Sequence, residues 1–198
     1  MEHYFIDKPH SSEDYFSFNA KVLDEELVFN SCQDIFSKNC VDYGSKVLIE
    51  TVYKKENLFG NVLDIGCGYG AIGIVLAKKF PSATFLLSDI NATAVKLSKE
   101  NIVLNRVKNA KAILSTGYEK IDQKFNFVIT NPPIKAGKEN LFSILLGARE
   151  VLLENGKLIL VIKKKHGEES VKKMLEQNFK SVEVLKRDSG YYILKAEK

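Results

Sequence analysis

The sequence predicts an α/β protein built on a mostly parallel sheet with helices on both faces. Three observations carry this. Short apolar, β-branched runs alternate with helix-length stretches five times from Asn61 onward. Several runs end in glycine, Asp, Ser or Asn, as strand ends facing a ligand crevice do. The chain closes on two strand-like runs around Ser189-Gly190, which reads as a hairpin adding an antiparallel edge. With 198 residues, 45% hydrophobic and 27% charged, the chain is long enough for one well-covered core.

At the N-terminal end, Tyr15-Phe16-Ser17-Phe18 and Glu26-Leu27-Val28-Phe29 flank Asp24-Glu25 and predict a β-hairpin flap. Asp42-Tyr43-Gly44-Ser45 opens a helix expected over 46–53, with Ser45 as its N-cap. Residues 62–65 form a strand, 66–70 a glycine-rich turn, and 71–79 a helix stopped by Pro81. A second strand, 84–87, ends at Ser88-Asp89. Asn91 caps a long helix through residue 104, and Asn105 suits its C-terminal end. A third strand, 112–114, runs into Ser115-Thr116-Gly117-Tyr118, and the fourth, 125–130, into Asn131. A helix over 139–153 is expected to end at Asn155-Gly156, followed by strand 157–162 and helix 168–178. Runs 182–186 and 191–196 make the closing hairpin. The expected organisation is an N-terminal hairpin-and-helix extension over 1–55 on a main domain over 56–198.

Composition narrows the function classes. No stretch approaches the ~20 apolar residues of a membrane helix. Met1-Glu2-His3-Tyr4 lacks the layout of a secretory signal. Cys32, Cys40 and Cys67 have neither metal nor disulfide spacing, so reduced thiols, a cytoplasmic location and no metal are expected. The charge of +4 permits a nucleic-acid partner without demanding one.

The chemistry gathers at the strand ends. Gly66, Gly68 and Gly70 allow a tight turn and close approach of a ligand to backbone N–H groups at a helix start. Asp89, ending the next strand, suits the two hydroxyls of a ribose. Gly66-Cys67-Gly68-Tyr69-Gly70-Ala71 also meets the loose dinucleotide pattern G-x-G-x-x-A. Asp64, however, precedes the glycines: it would repel a pyrophosphate and anchor a cationic amine. A ligand with an aminoacyl end and an adenosine end, such as S-adenosylmethionine, fits better than a nicotinamide cofactor. After the fourth strand, Pro132 and Pro133 cannot extend the ladder, and Asn131 is held extended before proline. The result is a stiff corner offering the Asn131 amide and the Pro132 carbonyl as acceptors for an exocyclic amine; a plain rigid turn is the alternative.

Val62-Leu63-Asp64-Ile65-Gly66-Cys67-Gly68-Tyr69-Gly70, Asp89-Ile90-Asn91 and Asn131-Pro132-Pro133-Ile134 together resemble a class I S-adenosylmethionine-dependent methyltransferase. Adding His3-Tyr4-Phe5, Phe36-Ser37-Lys38, Asp42-Tyr43-Gly44-Ser45, Lys135-Ala136-Gly137-Lys138 and Ser189-Gly190-Tyr191-Tyr192, the chain is similar to the C-type small-subunit rRNA guanine-N2 methyltransferases. The resemblance implies a Rossmann-like seven-stranded sheet and methylation of guanine N2 in 16S rRNA. It implies cofactor contacts from Asp64, Gly66, Cys67, Gly68, Gly70, Asp89, Ile90, Asn91, Ser115, Thr116 and Asn131. It implies a catalytic corner of Asn131, Pro132, Pro133 and Ile134, and substrate contacts from Phe36, Lys135 and Lys138. Lys163-Lys164-Lys165 are further candidates for RNA phosphates, against the plain reading of solvated surface charge. Longer members carry a second, degenerate domain for which this chain has no room, and many have Asp where Thr116 stands. Aliphatic Ile134 gives an apolar platform, where an aromatic residue would stack on a flipped base. No strong base is needed, and His3, His10 and His166 read as surface residues away from strand ends. Two other readings remain open: methylation of a glutamine in a protein, and cofactor binding without catalysis in ribosome assembly.

Overall fold

A computed structural model of the chain describes residues 15–33, 35–134 and 137–198. A seven-stranded sheet dominates it. The parallel strands are β3 (Asn61–Ile65), β4 (Thr84–Asp89), β5 (Ala110–Leu114), β6 (Phe125–Thr130) and β7 (Leu152–Lys163). Strands β8 (Ser181–Asp188) and β9 (Tyr191–Glu197) form the closing hairpin, with β9 antiparallel to both β7 and β8. The order is β5-β4-β3-β6-β7-β9-β8. Strand β3 is therefore central: its chain successor β4 lies on one side, and β6 on the other. This is the topological switch point, where the connections diverge and leave a crevice beyond the strand ends.

Side chains alternate across the sheet, as a two-faced core requires. Val62, Phe85, Leu87, Ile129, Ile159 and Val161 join the core beneath helices α1 (Tyr43–Lys55), α2 (Ala71–Lys79) and α3 (Ala92–Leu104). Leu63, Leu86, Val128, Leu158, Leu160 and Ile162 join the opposite core beneath α4 (Lys138–Val151) and α5 (Glu168–Asn178).

The N-terminal hairpin pairs β1 (Tyr15–Val22) with β2 (Glu25–Cys32) as a separate two-stranded sheet. Two amides, Asn101 on α3 and Asn105 at its C-cap, hold its free edge. Asn105 accepts from Val28 N (3.1 Å) and donates to Val28 O (2.8 Å). Asn101 accepts from Asn30 N (2.7 Å) and donates to Asn30 O (3.0 Å). Spaced four apart, they lie on one helix face and stand in for a missing strand.

Several expectations are corrected. The two-residue turn of the first hairpin is Leu23-Asp24, both at positive φ (51° and 62°), rather than Asp24-Glu25. Helix α1 starts at Tyr43, and its N-cap is Asp42, whose carboxylate accepts from Ser45 N at 3.1 Å. Asp and Ser cap comparably well, so the sequence admitted either, three residues apart. Helix α4 ends at Val151. Asn155-Gly156 lies instead inside β7, where the register jumps between Leu152 opposite Phe125 and Lys157 opposite Phe127. Glycine is required there by close approach: a Cβ on Gly156 would sit 2.8 Å from Leu153 O and 3.1 Å from Phe125 O. Strand β5 begins at Ala110, two residues early. His166 lies on the 3₁₀ turn Lys164–His166 directly after β7, exposed as expected but nearer a strand end than the sequence suggested.

Candidate active site

The glycine-rich turn after β3 is stitched to its neighbours by backbone bonds. Gly66 N and Cys67 N donate to Ser88 O at 2.8 and 3.1 Å, and Gly68 N donates to Asp89 Oδ2 at 2.8 Å. From α3, Ser98 Oγ donates to Gly68 O (2.8 Å) and Asn101 Nδ2 to Tyr69 O (2.9 Å). Tyr69 also packs its ring among Phe18 and Phe29 of the hairpin, centroids 5.7 and 5.4 Å away. Its hydroxyl donates to Cys40 O at 3.2 Å, tying the turn that carries Phe36 to the glycine turn.

The three glycines do different jobs. Gly66, Gly68 and Gly70 all have positive φ (71°, 57° and 93°). A Cβ on Gly70 would lie 2.9 Å from Ile74 Cδ1 and 3.0 Å from Ser98 Oγ, so it serves packing. A Cβ on Gly66 or Gly68 would meet nothing within 4 Å. Those two border open space that side chains would otherwise occupy.

Asp64 is 1% exposed on β3. Its Oδ2 accepts from Gly73 N at 2.8 Å, capping α2 where Gly70 has no side chain to do so. Oδ1 is buried with no partner. Burial pushes this carboxyl up to about 7, the Gly73 N–H opposes the rise, and the charge of Asp89 adds to it. A buried carboxylate with one vacant oxygen suits a cationic group. At the end of β4, Asp89 accepts from Gly68 N through Oδ2 and from Asn91 N through Oδ1 (2.9 Å), with capacity left on each oxygen. Burial raises its pKa against three backbone N–H bonds, from Asn91, Gly68 and Ile90. Asn91 caps α3 through Ala94 N at 3.0 Å, and Ile90 is 38% exposed.

Other expected residues are less available. The Cys67 thiol is buried, 3.5 Å from Ser98 Oγ, and burial, with the charges of Asp89 and Asp64, pushes it far above the usual thiol range. It is no nucleophile. Ser115 Oγ is spent on its own turn, donating to Gly117 O and accepting from Lys120 N. Thr116 beside it is exposed. Phe36 is 60% exposed, and Lys138 lays its ammonium over the Phe142 ring at 5.2 Å. Lys135 and the His3-Tyr4-Phe5 stretch lie outside the described residues. Lys163 holds its ammonium 4.5 Å from the Tyr191 ring centroid.

Across the switch point, Thr130 Oγ1 at the end of β6 donates to Ile65 O at 2.7 Å, joining the two strand ends. Asn131 follows. Its Nδ2 donates to Ser45 Oγ at 2.9 Å and to Asp42 Oδ2 at 3.1 Å, both at the start of α1. Carboxylate Asp42 only accepts, so the nitrogen of Asn131 faces it and the oxygen faces away. No described residue donates to Asn131 Oδ1. Pro132 is buried, and Ile134 is half-buried against the α4–α5 core. Sequence reasoning missed Asp42, Ser45, Tyr69, Asn101 and Thr130 as site-building residues. The available signal was the Asp42-x-x-Ser45 spacing, which puts both side chains on one face of a helix start.

The residues present fit S-adenosylmethionine: a vacant buried carboxylate oxygen, an open glycine cradle and a second acidic residue stand at the ends of adjacent strands. This sheet order with this site defines a class of S-adenosylmethionine-dependent methyltransferases. The chain belongs to the methyltransferase small domain family, whose model matches residues 26–195. It is 38% identical over 199 residues to the protein YbxB of Bacillus subtilis (strain 168), covering 100% of this chain and 98% of that one. It is 31% identical to ribosomal RNA small subunit methyltransferase C of Photobacterium profundum, covering 96% of this chain and 56% of that one. Among solved structures, it resembles the T. thermophilus 16S rRNA N2 G1207 methyltransferase (RsmC) in complex with AdoMet and guanosine. That match has a TM-score of 0.86 at 27% identity, covering 96% of this chain and 52% of the other. The chain thus spans about half the length of these two methyltransferases. Among the described residues, no helix is long and apolar enough to cross a membrane, and no three His, Cys, Asp or Glu side chains converge as metal ligands.

Proposed function

We propose that the chain transfers a methyl group from S-adenosylmethionine to N2 of a guanine in small-subunit ribosomal RNA. The observation that carries this reading is the orientation of the Asn131 amide. Both hydrogens of its nitrogen are taken by Asp42 and Ser45, so only Oδ1 is left for a substrate. A lone acceptor selects a target that carries N–H, such as an exocyclic amine, over a ring nitrogen or carbonyl that can only accept. The exposed ammonium-bearing side chains of Lys138, Lys164 and Lys165, with half-buried Lys163, supply cations for phosphate contacts, which supports a nucleic acid over a protein glutamine. The likeness to the T. thermophilus 16S rRNA N2 enzyme supports the choice of guanine.

In this reading, Asp64 and the open turn at Gly66 and Gly68 would hold the aminoacyl end of the methyl donor, Asp89 would hold its ribose, and Ile90 and Thr116 would hold its adenine end. Bound S-adenosylmethionine supplies an electrophilic methyl on a sulfonium. The lone pair of an exocyclic guanine nitrogen is delocalised into the ring and is a weak nucleophile. Asn131 Oδ1 and the Pro132 carbonyl accept its two hydrogens, which orients the lone pair toward the methyl. The same acceptors stabilise the positive charge that grows on nitrogen as the N–C bond forms and the S–C bond breaks. The methylated nitrogen then loses its proton to water. Residues 1–55 serve in this proposal as an extension of a methyltransferase domain over 56–198. The deciding experiment is mass spectrometry of rRNA nucleosides from cells with and without the protein, with transfer of labelled methyl to small-subunit particles in vitro. Loss of N2-methylguanosine is expected. Unchanged rRNA nucleosides together with labelling of a protein glutamine would overturn the reading.

A further inference from the structure

We propose that Asp42 and Ser45 are positioning residues that lock the Asn131 amide in the one orientation able to accept a substrate amine. This rests on the reading of Asn131 as a substrate contact. An asparagine amide has two near-equivalent settings related by a half-turn about its last bond, and an unconstrained one presents NH2 to the substrate part of the time. Here the half-turn would set an oxygen of Asn131 against Asp42 Oδ2, 3.1 Å from it, with no proton between them. Ser45 Oγ, 2.9 Å away and buried on α1, takes the second hydrogen. All the donor capacity of the amide is thereby consumed on the protein side.

Each residue of Asp42-Tyr43-Gly44-Ser45 contributes to the clamp. Asp42 Oδ2 is fixed by its second bond, from Ser45 N, as the cap of α1. Gly44 leaves room for it: a Cβ there would lie 3.0 Å from Asp42 Oδ2 and 2.7 Å from the Tyr191 ring. Tyr43 donates its hydroxyl to Asp188 Oδ1 at 2.7 Å, pinning the helix start to the end of β8. The first turn of α1 is therefore fastened to the sheet edge on one side and grips Asn131 on the other.

Asp42 has a helix-capping role as well, and the test separates the two. Asp42→Ser keeps a good N-cap but is too short to reach Asn131. Asp42→Asn keeps the accepting oxygen. Single-turnover methyl transfer to small-subunit particles should fall up to about 10²-fold in Asp42→Ser. Ser45→Ala should lose about tenfold, while Asp42→Asn stays near the parent and S-adenosylmethionine affinity holds in all three. In an Asn131→Ala background, Asp42→Ser and Ser45→Ala should cost nothing further, because they act through the missing amide. Hydrogen exchange of the Asn131 side-chain NH2, assigned by its disappearance in Asn131→Ala, reads the clamp without any substrate: exchange should be slow in the parent and fast in Asp42→Ser. Losses that multiply undiminished in the Asn131→Ala background, or exchange unaltered by Asp42→Ser, would overturn the clamp. Absence of transfer by the parent would count against the rRNA reading alone, and the exchange measurement would still decide the clamp.

Discussion

Replacing Asn131 by an aspartate tests the site most sharply. From the sequence, Asn131→Asp keeps an acceptor and is expected to retain partial activity. The structure changes that expectation, because the nitrogen being replaced lies 3.1 Å from Asp42 Oδ2. Two carboxylate charges at that separation repel by about 5 kcal/mol at an effective dielectric of about 20. That is a coupling of roughly 4 pKa units before any rotation relieves it. The pair therefore keeps one proton well above the usual carboxylate range and titrates as a unit. With the proton in place, the new carboxyl donates to Asp42 and still offers its other oxygen to the substrate. Without it, the side chain at position 131 swings away. The active form is the protonated one, and the shared proton is lost as pH rises, so transfer by the variant should decline with pH. Single-turnover methyl transfer from about pH 6 to 9, at saturating S-adenosylmethionine, measures this. At the alkaline end the variant should approach Asn131→Ala, roughly 10²–10³ below the parent, and at the acid end it should recover most of that loss. An Asn131→Asp profile parallel to that of the parent would refute the placement of Asp42 against this amide.

Four further outcomes are expected. Asp89→Ala should weaken S-adenosylmethionine binding at least tenfold by calorimetry, since charged hydrogen bonds contribute about 1.5–3 kcal/mol each; unchanged affinity would place the ribose elsewhere. The folded-state pKa of Asp64, raised to about 7, means the folded protein binds this proton more tightly than the unfolded chain. The contribution is present at low pH and fades as pH rises from ~4 toward 7, so Asp64→Asn should flatten the pH dependence of Tm and raise Tm near pH 8 while weakening cofactor binding. Asn101→Ala orphans backbone groups of Asn30 and Tyr69 at about 1–3 kcal/mol each; thermal unfolding should show a large loss, and a Tm within about a degree of the parent would deny the anchor. RNA affinity should fall with salt at a log–log slope of roughly 0.7 per phosphate contact for single strands, and become shallower in Lys163→Ala or Lys138→Ala; a slope near zero would remove these lysines from the interface.

Local physics made much of this chain legible as sequence. Pro132 and Pro133 end a strand wherever they occur, glycines at positive φ make the turn after β3, and Asn91 and Ser189-Gly190 cap and turn by their own chemistry. Helices α2 and α5 and strand β6 accordingly stand at the expected residues. Where two local solutions were comparably good, as for Asp42 and Ser45 at the start of α1, the reading from sequence took Ser45 as the cap and the structure puts Asp42 there. Ser45 Oγ instead accepts from Asn131, 86 residues away, a partner no local rule could supply. The same holds for the anchoring of β2 by Asn101 and Asn105, for the vacant oxygen of Asp64, and for the division of Gly66 and Gly68 from Gly70. These depend on which groups meet after the chain crosses over at β3. Periodicity and propensity act over a few neighbouring residues. The direction of a buried amide or the burial of one carboxylate oxygen is set by elements tens of residues apart, whose packing forces every donor and acceptor to find a partner or remain without one.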